Sequence, residues 1–336
     1  MTRTDLIVSV SPHIRQNMTT TAIMWTVVAC LIPPLILSIF IFGFQTLIIA
    51  LISVASCVGA EAISQKLLKR PVQIRDGSAV ITGLLLAYVI PPGVPVWMPI
   101  PGAIMSICVT KVIMGGLGFN IFNPALIGRA FLVATYPVAM TTAWLVPIRD
   151  ASIFRYMGSS VDAISSATPL MVLKHDGMAA VIEKFGSLST LYSDFFFGFR
   201  PGCIGETSVI VILIGGVYLM YRRFITWHIP VSVIGSIGLL TWVFGGETLL
   251  NGNPLLAVLS GGVMLGAFFM ATDYVTSPNQ KTGKLIFGAG VGALTVLIRL
   301  KGGYPEGICY AILLMNPLTP ALDQWFRPKR FSAGAK

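Results

Sequence analysis

The sequence predicts an all-α polytopic membrane protein of about ten transmembrane helices, arranged as inverted five-helix repeats with broken helices. Charged residues make up 11% of the chain and hydrophobic ones 55%, against roughly 25% charged in soluble domains, so the chain cannot cover a water-facing surface. Several apolar stretches reach the roughly 20 residues that cross a hydrocarbon core. They are apolar throughout, and the alternating polarity of barrel strands is missing.

Hydropathy places spans near 21–43, 45–65, 77–92, 95–114, 119–137, 206–221, 226–245, 254–274, 284–300 and 304–324. The short lead before the first span carries Arg3, Asp5 and Arg15 and lacks the form of a cleaved signal. Lys66, Lys69, Arg70 and Arg75 follow the second span, Pro91-Pro92 closes the third, and Lys111 lies at the end of the fourth. Asn and Pro make the fifth and last spans, like the short third, candidates for broken or re-entrant helices. Arg222-Arg223 ends the sixth span, the apolar run from Pro254 to Met270 forms the eighth, and Lys281 and Lys284 precede the ninth. This divides the chain into a cytoplasmic segment 1–20, a first transmembrane half 21–137, an extracytoplasmic segment 138–205, a second half 206–324 and a cytoplasmic tail 325–336.

The net charge of +10 comes from basic residues clustered between spans, which indicates membrane orientation and not nucleic-acid binding. With the N-terminus inside, fifteen basic residues fall on cytoplasmic segments and seven outside, the bias expected of a positive-inside topology. Both termini are therefore expected in the cytoplasm and the 138–205 segment outside. Gly115-Gly116 before Asn123-Pro124 is echoed by Gly302-Gly303 before Asn316-Pro317, and inverted repeats with broken helices often hold a site between halves.

Candidate functional residues are few. The five cysteines are single and lack metal-site spacing; His13, His175 and His228 form no local metal motif. No dinucleotide fingerprint, iron–sulfur cysteine framework or phosphate-binding glycine–lysine motif is present. Ionisable residues near spans include Glu61, Asp76, Arg129, Glu206, Asp273 and Asp323, and such groups are costly in lipid unless they face protein, water or a pathway. Asp273 fits a structural pair, a flavin environment or ion movement. Arg129 fits either an acid on another helix or a ligand that takes its directed hydrogen bonds. Asn120, Asn123 and Asn316 suit gaps in broken helices.

Within 138–205 lies Asp162-Ala-Ile-Ser165-Ser166-Ala-Thr168-Pro169. Ser165 or Ser166 suits a helix cap, and Pro169 biases Thr168 toward an extended conformation. Here the chain resembles the RnfD membrane component of the bacterial Rnf ion-translocating oxidoreductase complex, a family homologous to the NqrB component of the sodium-translocating NADH:quinone reductase. The stretch is similar to the family's Asp-x-x-Ser/Thr-Gly/Ser-Ala-Thr pattern, with Ser166 where glycine is frequent. The likeness extends through Ser11-Pro12-His13, Asp76-Gly77-Ser78-Ala79, Thr82-Gly83-Leu84-Leu85, the run from Gly115 to Ala125, and Ala271-Thr272-Asp273-Tyr274 with Thr276-Ser277-Pro278.

The resemblance implies FMN attached through a phosphoester to Thr168, with Asp162 and Ser166 in the attachment motif, installed by a flavin transferase outside the cytoplasm. It also implies a second, noncovalent flavin, usually riboflavin, with Ser78, Thr82 and Gly83 near it. Asn120, Arg129 and Asp273 are further candidates for cofactor contact. The implied role is a membrane electron-transfer subunit in a prokaryotic cell membrane, the inner membrane in a Gram-negative source. Its implied partners are other Rnf-complex subunits, including an FMN-bearing extracytoplasmic subunit and membrane redox subunits, and its coupling ions are sodium or protons. A protein flavin carrier supplies orientation and electrostatics while the ring supplies redox chemistry. Readings left open are the quinone-reductase subunit, whose family version resembles one with a longer cytoplasmic extension, a flavin-free secondary transporter, and a redox-inactive scaffold.

Overall fold

The computed structural model describes residues 18–148, 167–246, 248–303 and 306–327. Ser11-Pro12-His13, Asp162, Ser165, Ser166 and the tail beyond residue 327 lie outside the described residues. Among the described residues every regular element is helical.

The first two expected spans form α1 (Thr20–Phe42) and α2 (Gln45–Leu67). The Thr19 hydroxyl caps α1 by accepting from the Ala22 N–H at 3.2 Å, and Gly43, at φ 89°, ends it. Leu51 and Phe40 are about 60% exposed on these apolar helices, as suits side chains that meet lipid. With α13 (Lys281–Lys301), these are the three helices among the described residues long and apolar enough to cross a membrane alone. The protein is thus a polytopic helical membrane protein.

The remaining elements are shorter. They are α3 (Ser78–Tyr88), α4 (Pro99–Ile113), α5 (Pro124–Thr135) and α6 (Pro137–Thr142), followed by α7 (Pro169–Phe185) and α8 (Leu188–Phe197). Next come α9 (Val209–Tyr221), α10 (His228–Phe244), α11 (Pro254–Leu259) and α12 (Val263–Leu265). After α13, α14 (Ile308–Met315) and α15 (Thr319–Trp325) end the described chain. The segment read as one extracytoplasmic excursion thus contains two further helices, α7 and α8, with α7 kinked at Gly177 (φ 82°).

Three expected spans are broken. The third is helical only to Tyr88. The eighth, read as continuous, breaks at Gly261 and Gly262, whose φ values of 62° and 68° are open to glycine at little cost. The last is split by a 3₁₀ turn at Asn316–Leu318, where Pro317 removes a donor.

Two helices widen into π geometry, α4 over Met105–Ile113 and the continuation of α12 over Gly266–Met270. Such widening re-aims side chains and is frequent at functional sites.

Small residues set the closest helix contacts, as expected where packing replaces the hydrophobic effect in lipid. A Cβ on Gly83 of α3 would lie 2.6 Å from Val54 Cα on α2, and the Ser53 hydroxyl donates to the Gly83 carbonyl at 2.7 Å. Gly288 and Gly292 of α13 face Ser232 and Ser236 of α10 in the same way.

The two Asn-Pro pairs meet at the centre. The Asn123 side chain accepts from the Ala125 and Leu126 amides at 3.1 and 3.4 Å, capping α5, and donates to the Met270 carbonyl at 3.3 Å. With its amide oriented to satisfy both ends, Asn316 accepts from the Asn123 backbone N–H at 3.0 Å and donates to the Ile312 carbonyl at 3.1 Å.

Candidate functional site: a polar-edged cleft and a buried charge cluster

Four predicted residues from distant parts of the chain line one cleft: Ser78 and Thr82 on α3, Asn120 before α5 and Asp273 after the second π segment. Its cavity volume is about 100 Å³, smaller than the roughly 300–1,000 Å³ usual for small-molecule sites, so it is a narrow cleft. Phe268, Phe269, Leu85 and Ile81 supply apolar wall, and Met24 and Val27 of α1 close another side.

The polar groups gather along part of this wall. The Thr82 hydroxyl donates to the Ser78 carbonyl at 3.0 Å, a bond to the preceding turn that leaves the oxygen free to accept. Asn120 donates to the Phe122 carbonyl at 3.2 Å, which holds its amide oxygen apart from that bond. The Asp273 carboxylate accepts from the Thr276 hydroxyl at 3.1 Å, and its backbone carbonyl accepts from the Ser277 hydroxyl at 2.7 Å.

Gly83, grouped with these residues in the sequence reading, does not line the cleft. It is the crossing point of α2 and α3, the interhelical role that small residues commonly take.

Lys111 is the largest departure from the sequence reading, which placed it on a cytoplasmic flank. It is 2% exposed, lines the cleft, and its ammonium lies 2.6 Å from Glu61 Oε1 and 2.6 Å from Ser78 Oγ. Ser78 Oγ in turn donates to Asp76 Oδ2 at 2.8 Å. The signal available in the sequence was a lone acid, Glu61, and a lone base, Lys111, in two apolar stretches.

Arg129 is not at this cavity. It pairs with Glu306, which lies not on a helix, as its sequence context allowed, but in the connection just before α14. Arg200 and Arg299 are also buried near this pair, as is Glu206 on a 3₁₀ turn. The Arg200 guanidinium donates to the Glu206 carbonyl at 3.0 Å, and Arg299 donates to the Ala257 and Ser260 carbonyls at 2.6 and 2.9 Å. These carbonyls belong to the end of α11, freed by the break at Gly261. Possible ligand atoms of Cys203, Glu206 and Glu306 lie within 4.8 Å of one another, but the arginines already compensate the acids.

Thr168 stands beside this cluster. Its backbone is extended (φ −66°, ψ 150°), as Pro169 demands, and its hydroxyl caps α7 by accepting from the Met171 N–H at 3.3 Å. It is 6% exposed, so Thr168 sits in protein contact and not on an open loop. Met171 lines a small cleft with Arg129 and Glu306. Leu170 and Lys174 line a wider groove with Arg299. Burial pulls the Lys174 ammonium below its ordinary value.

A bundle of apolar helices with a polar-edged cleft and a separate cluster of buried charges defines a helical integral membrane protein. Sequence comparison makes the class specific: the profile described as the NQR2, RnfD, RnfE family matches residues 7–332, and the chain belongs to that family. It is 46% identical over 325 residues to the D component of the proton-translocating ferredoxin:NAD(+) oxidoreductase complex of Clostridium ljungdahlii, covering 96% of this chain and 95% of the relative. The D component of the Na(+)-translocating ferredoxin:NAD(+) oxidoreductase complex of Acetobacterium woodii is 40% identical over 332 residues, 98% of this chain and 96% of its own. The corresponding component of the ion-translocating oxidoreductase complex of Escherichia fergusonii is 37% identical over 348 residues, at 95% and 96% coverage.

Proposed function

We propose that the chain is the flavin-bearing electron-transfer subunit of a membrane ferredoxin:NAD oxidoreductase complex that moves sodium ions or protons. It acts as a redox subunit of a multisubunit enzyme, as its relatives are named, with ferredoxin and NAD handled by partner subunits. The observation that carries this reading is the convergence of Ser78, Thr82, Asn120 and Asp273 on one cleft. The chemistry of its apolar walls and polar edge suits a flavin, whose ring system has an apolar benzenoid end and a hydrogen-bonding pyrimidine end. Thr82 and Asn120 offer acceptors there and Lys111 a donor, while the phenylalanines exclude water.

The second flavin site is Thr168. Its hydroxyl is the group that forms a phosphoester with FMN, and Lys174 and Arg299, in the adjoining groove, supply positive charge toward a phosphate. The flavins supply one- and two-electron chemistry; the chain fixes their separation, orientation and surroundings. Two separate sites in one bundle suit electron passage from an extracytoplasmic FMN-bearing partner toward membrane redox partners. A flavin transferase matures the protein. About ten spans in inverted halves accommodate this arrangement, and the contact between Asn123 and Asn316 supports that symmetry.

The test is intact-mass and fluorescence analysis of the protein made with a flavin transferase, beside Thr168→Ala. The expected result is an FMN mass increment and in-gel flavin fluorescence in the parent, both absent from the variant. An unmodified parent under conditions that flavinylate a control substrate overturns the attachment.

A further inference from the structure

We propose that the first two turns of α7, residues 169–176, form a lid over Thr168 that swings about Gly177, and that Thr168 is modified only while this lid is open. This rests on the reading of Thr168 as the attachment point.

Thr168 is 6% exposed, and Pro169 and Leu170 beside it are buried. Its hydroxyl is turned to its own helix, accepting from the Met171 N–H at 3.3 Å, and its backbone carbonyl accepts from the Met171 and Val172 amides at 2.9 and 3.1 Å. Reacting atoms have to come within about 3–3.5 Å, in line, before a bond forms. A transferase cannot bring a flavin nucleotide that close to an oxygen covered by its own chain.

The stretch is built to come away. The face that α7 turns to the bundle, Leu170, Leu173, Lys174, Gly177 and Met178, borders a groove of about 680 Å³ instead of packed protein. Segments with few buried apolar contacts are the ones that open locally while the rest of a fold stays closed. The contacts that hold the lid include Leu170 against Gly261, where a Cβ would lie 3.0 Å from Leu170 Cδ2, the buried Val172, and the bond from the Lys174 ammonium to the Gly302 carbonyl.

Gly177 supplies the hinge. At φ 82° and ψ −178° it interrupts α7 in a conformation essentially restricted to glycine, and it is exposed with open space around it. Beyond it, the fully buried Val181 anchors the second half of the helix. In the modification that opening permits, Thr168 Oγ bonds to the flavin-side phosphorus of a flavin dinucleotide. The pyrophosphate P–O bond breaks, the nucleoside monophosphate leaves, and the hydroxyl proton passes to a base of the transferase. Reclosure then covers the ester.

The test uses the full-length chain, made without a flavin transferase and held in nanodiscs. In a Thr168→Cys version a maleimide measures opening with no flavin present. Labelling is expected to be about 10²-fold slower than that of the exposed Asp176→Cys. Leu170→Ala removes a contact of the lid, and Gly177→Ala penalises the closed backbone without meeting any neighbour; each should speed labelling about 10-fold. The buried Cys30, Cys57, Cys203 and Cys309 staying unlabelled shows that the bundle remains folded. With Thr168 in place, and with purified transferase and flavin dinucleotide added, the FMN mass increment should appear at rates that the same two substitutions raise by similar factors.

Thr168→Cys labelled as fast as Asp176→Cys, or labelling that neither substitution changes, overturns the lid. Faster labelling with attachment still at the parental rate overturns its control of the modification. A chain modified during synthesis but refractory once folded replaces opening by attachment before α7 packs. Attachment in neither setting, while a control substrate is flavinylated, overturns the reading of Thr168 and the lid's role in it.

Discussion

At the scale of single residues, burial decides what each charge does. Arg129 and Glu306 form a buried pair, and removing one partner of such a pair costs about 3–5 kcal/mol, because the other is left uncompensated. Arg129→Met is therefore expected to lower the thermal midpoint of the purified protein strongly, and adding Glu306→Gln should recover a substantial part. A double variant no more stable than the single one refutes compensation as the reason for the pair. Arg129 was legible as a cation in need of an acid, but Glu306 was not legible as that acid, since pairing across 177 positions leaves no local pattern. Lys111 was misread for a related reason: a base at the end of an apolar stretch looks like a flank charge until a neighbouring helix supplies a carboxylate.

At the scale of elements, the long helices were legible and several of the breaks were not. Length and continuous apolarity specify α1, α2 and α13, since each buries its own backbone polar groups in lipid. Breaks depend on who satisfies the freed groups. Pro91-Pro92 in the third span and Asn316-Pro317 in the last pointed to two of them; the break at Gly261 was hidden because its carbonyls are satisfied by Arg299, distant in sequence. The start of α5 offers a test. Asn123→Ala removes the cap, a loss of about 1 kcal/mol, and also the bond to the Met270 carbonyl. Asn123→Asp keeps the cap and loses only the donor to Met270. Both should reduce noncovalent flavin per purified chain, with Asn123→Ala the less stable. Full flavin occupancy in both separates this junction from the cavity. Of the candidate site, the four residues on the cavity wall were legible through the resemblance; that Thr168 caps a helix while buried depended on the packing of α7.

At the scale of the whole molecule, charge bias sets the orientation. Lys111, Arg200 and Arg299 are buried and contribute little to it, so the bias comes from exposed groups such as Lys66, Lys69, Arg222 and Arg223. Cysteines placed at the exposed positions Asp176 and Arg222 report the outcome, because the native cysteines are buried or half-buried. In intact cells an impermeant maleimide should label Asp176→Cys and spare Arg222→Cys until the membrane is permeabilised. The opposite pattern inverts the topology and places Thr168 on the cytoplasmic side.

The meeting of Asn123 and Asn316 also bears on how this sequence can change over generations. One residue inserted between Ile312 and Asn316 would turn the amide by about 100° around its helix and strand the Asn123 N–H. One inserted between Asn123 and Pro124 would part the cap from the amides it serves. Length variation is thus confined to outward connections, such as those between α7 and α8 or between α10 and α11, while the stretches ending in Asn-Pro stay fixed in register. A chimera of two relatives should survive only when both stretches remain intact, whatever their percentage identity elsewhere.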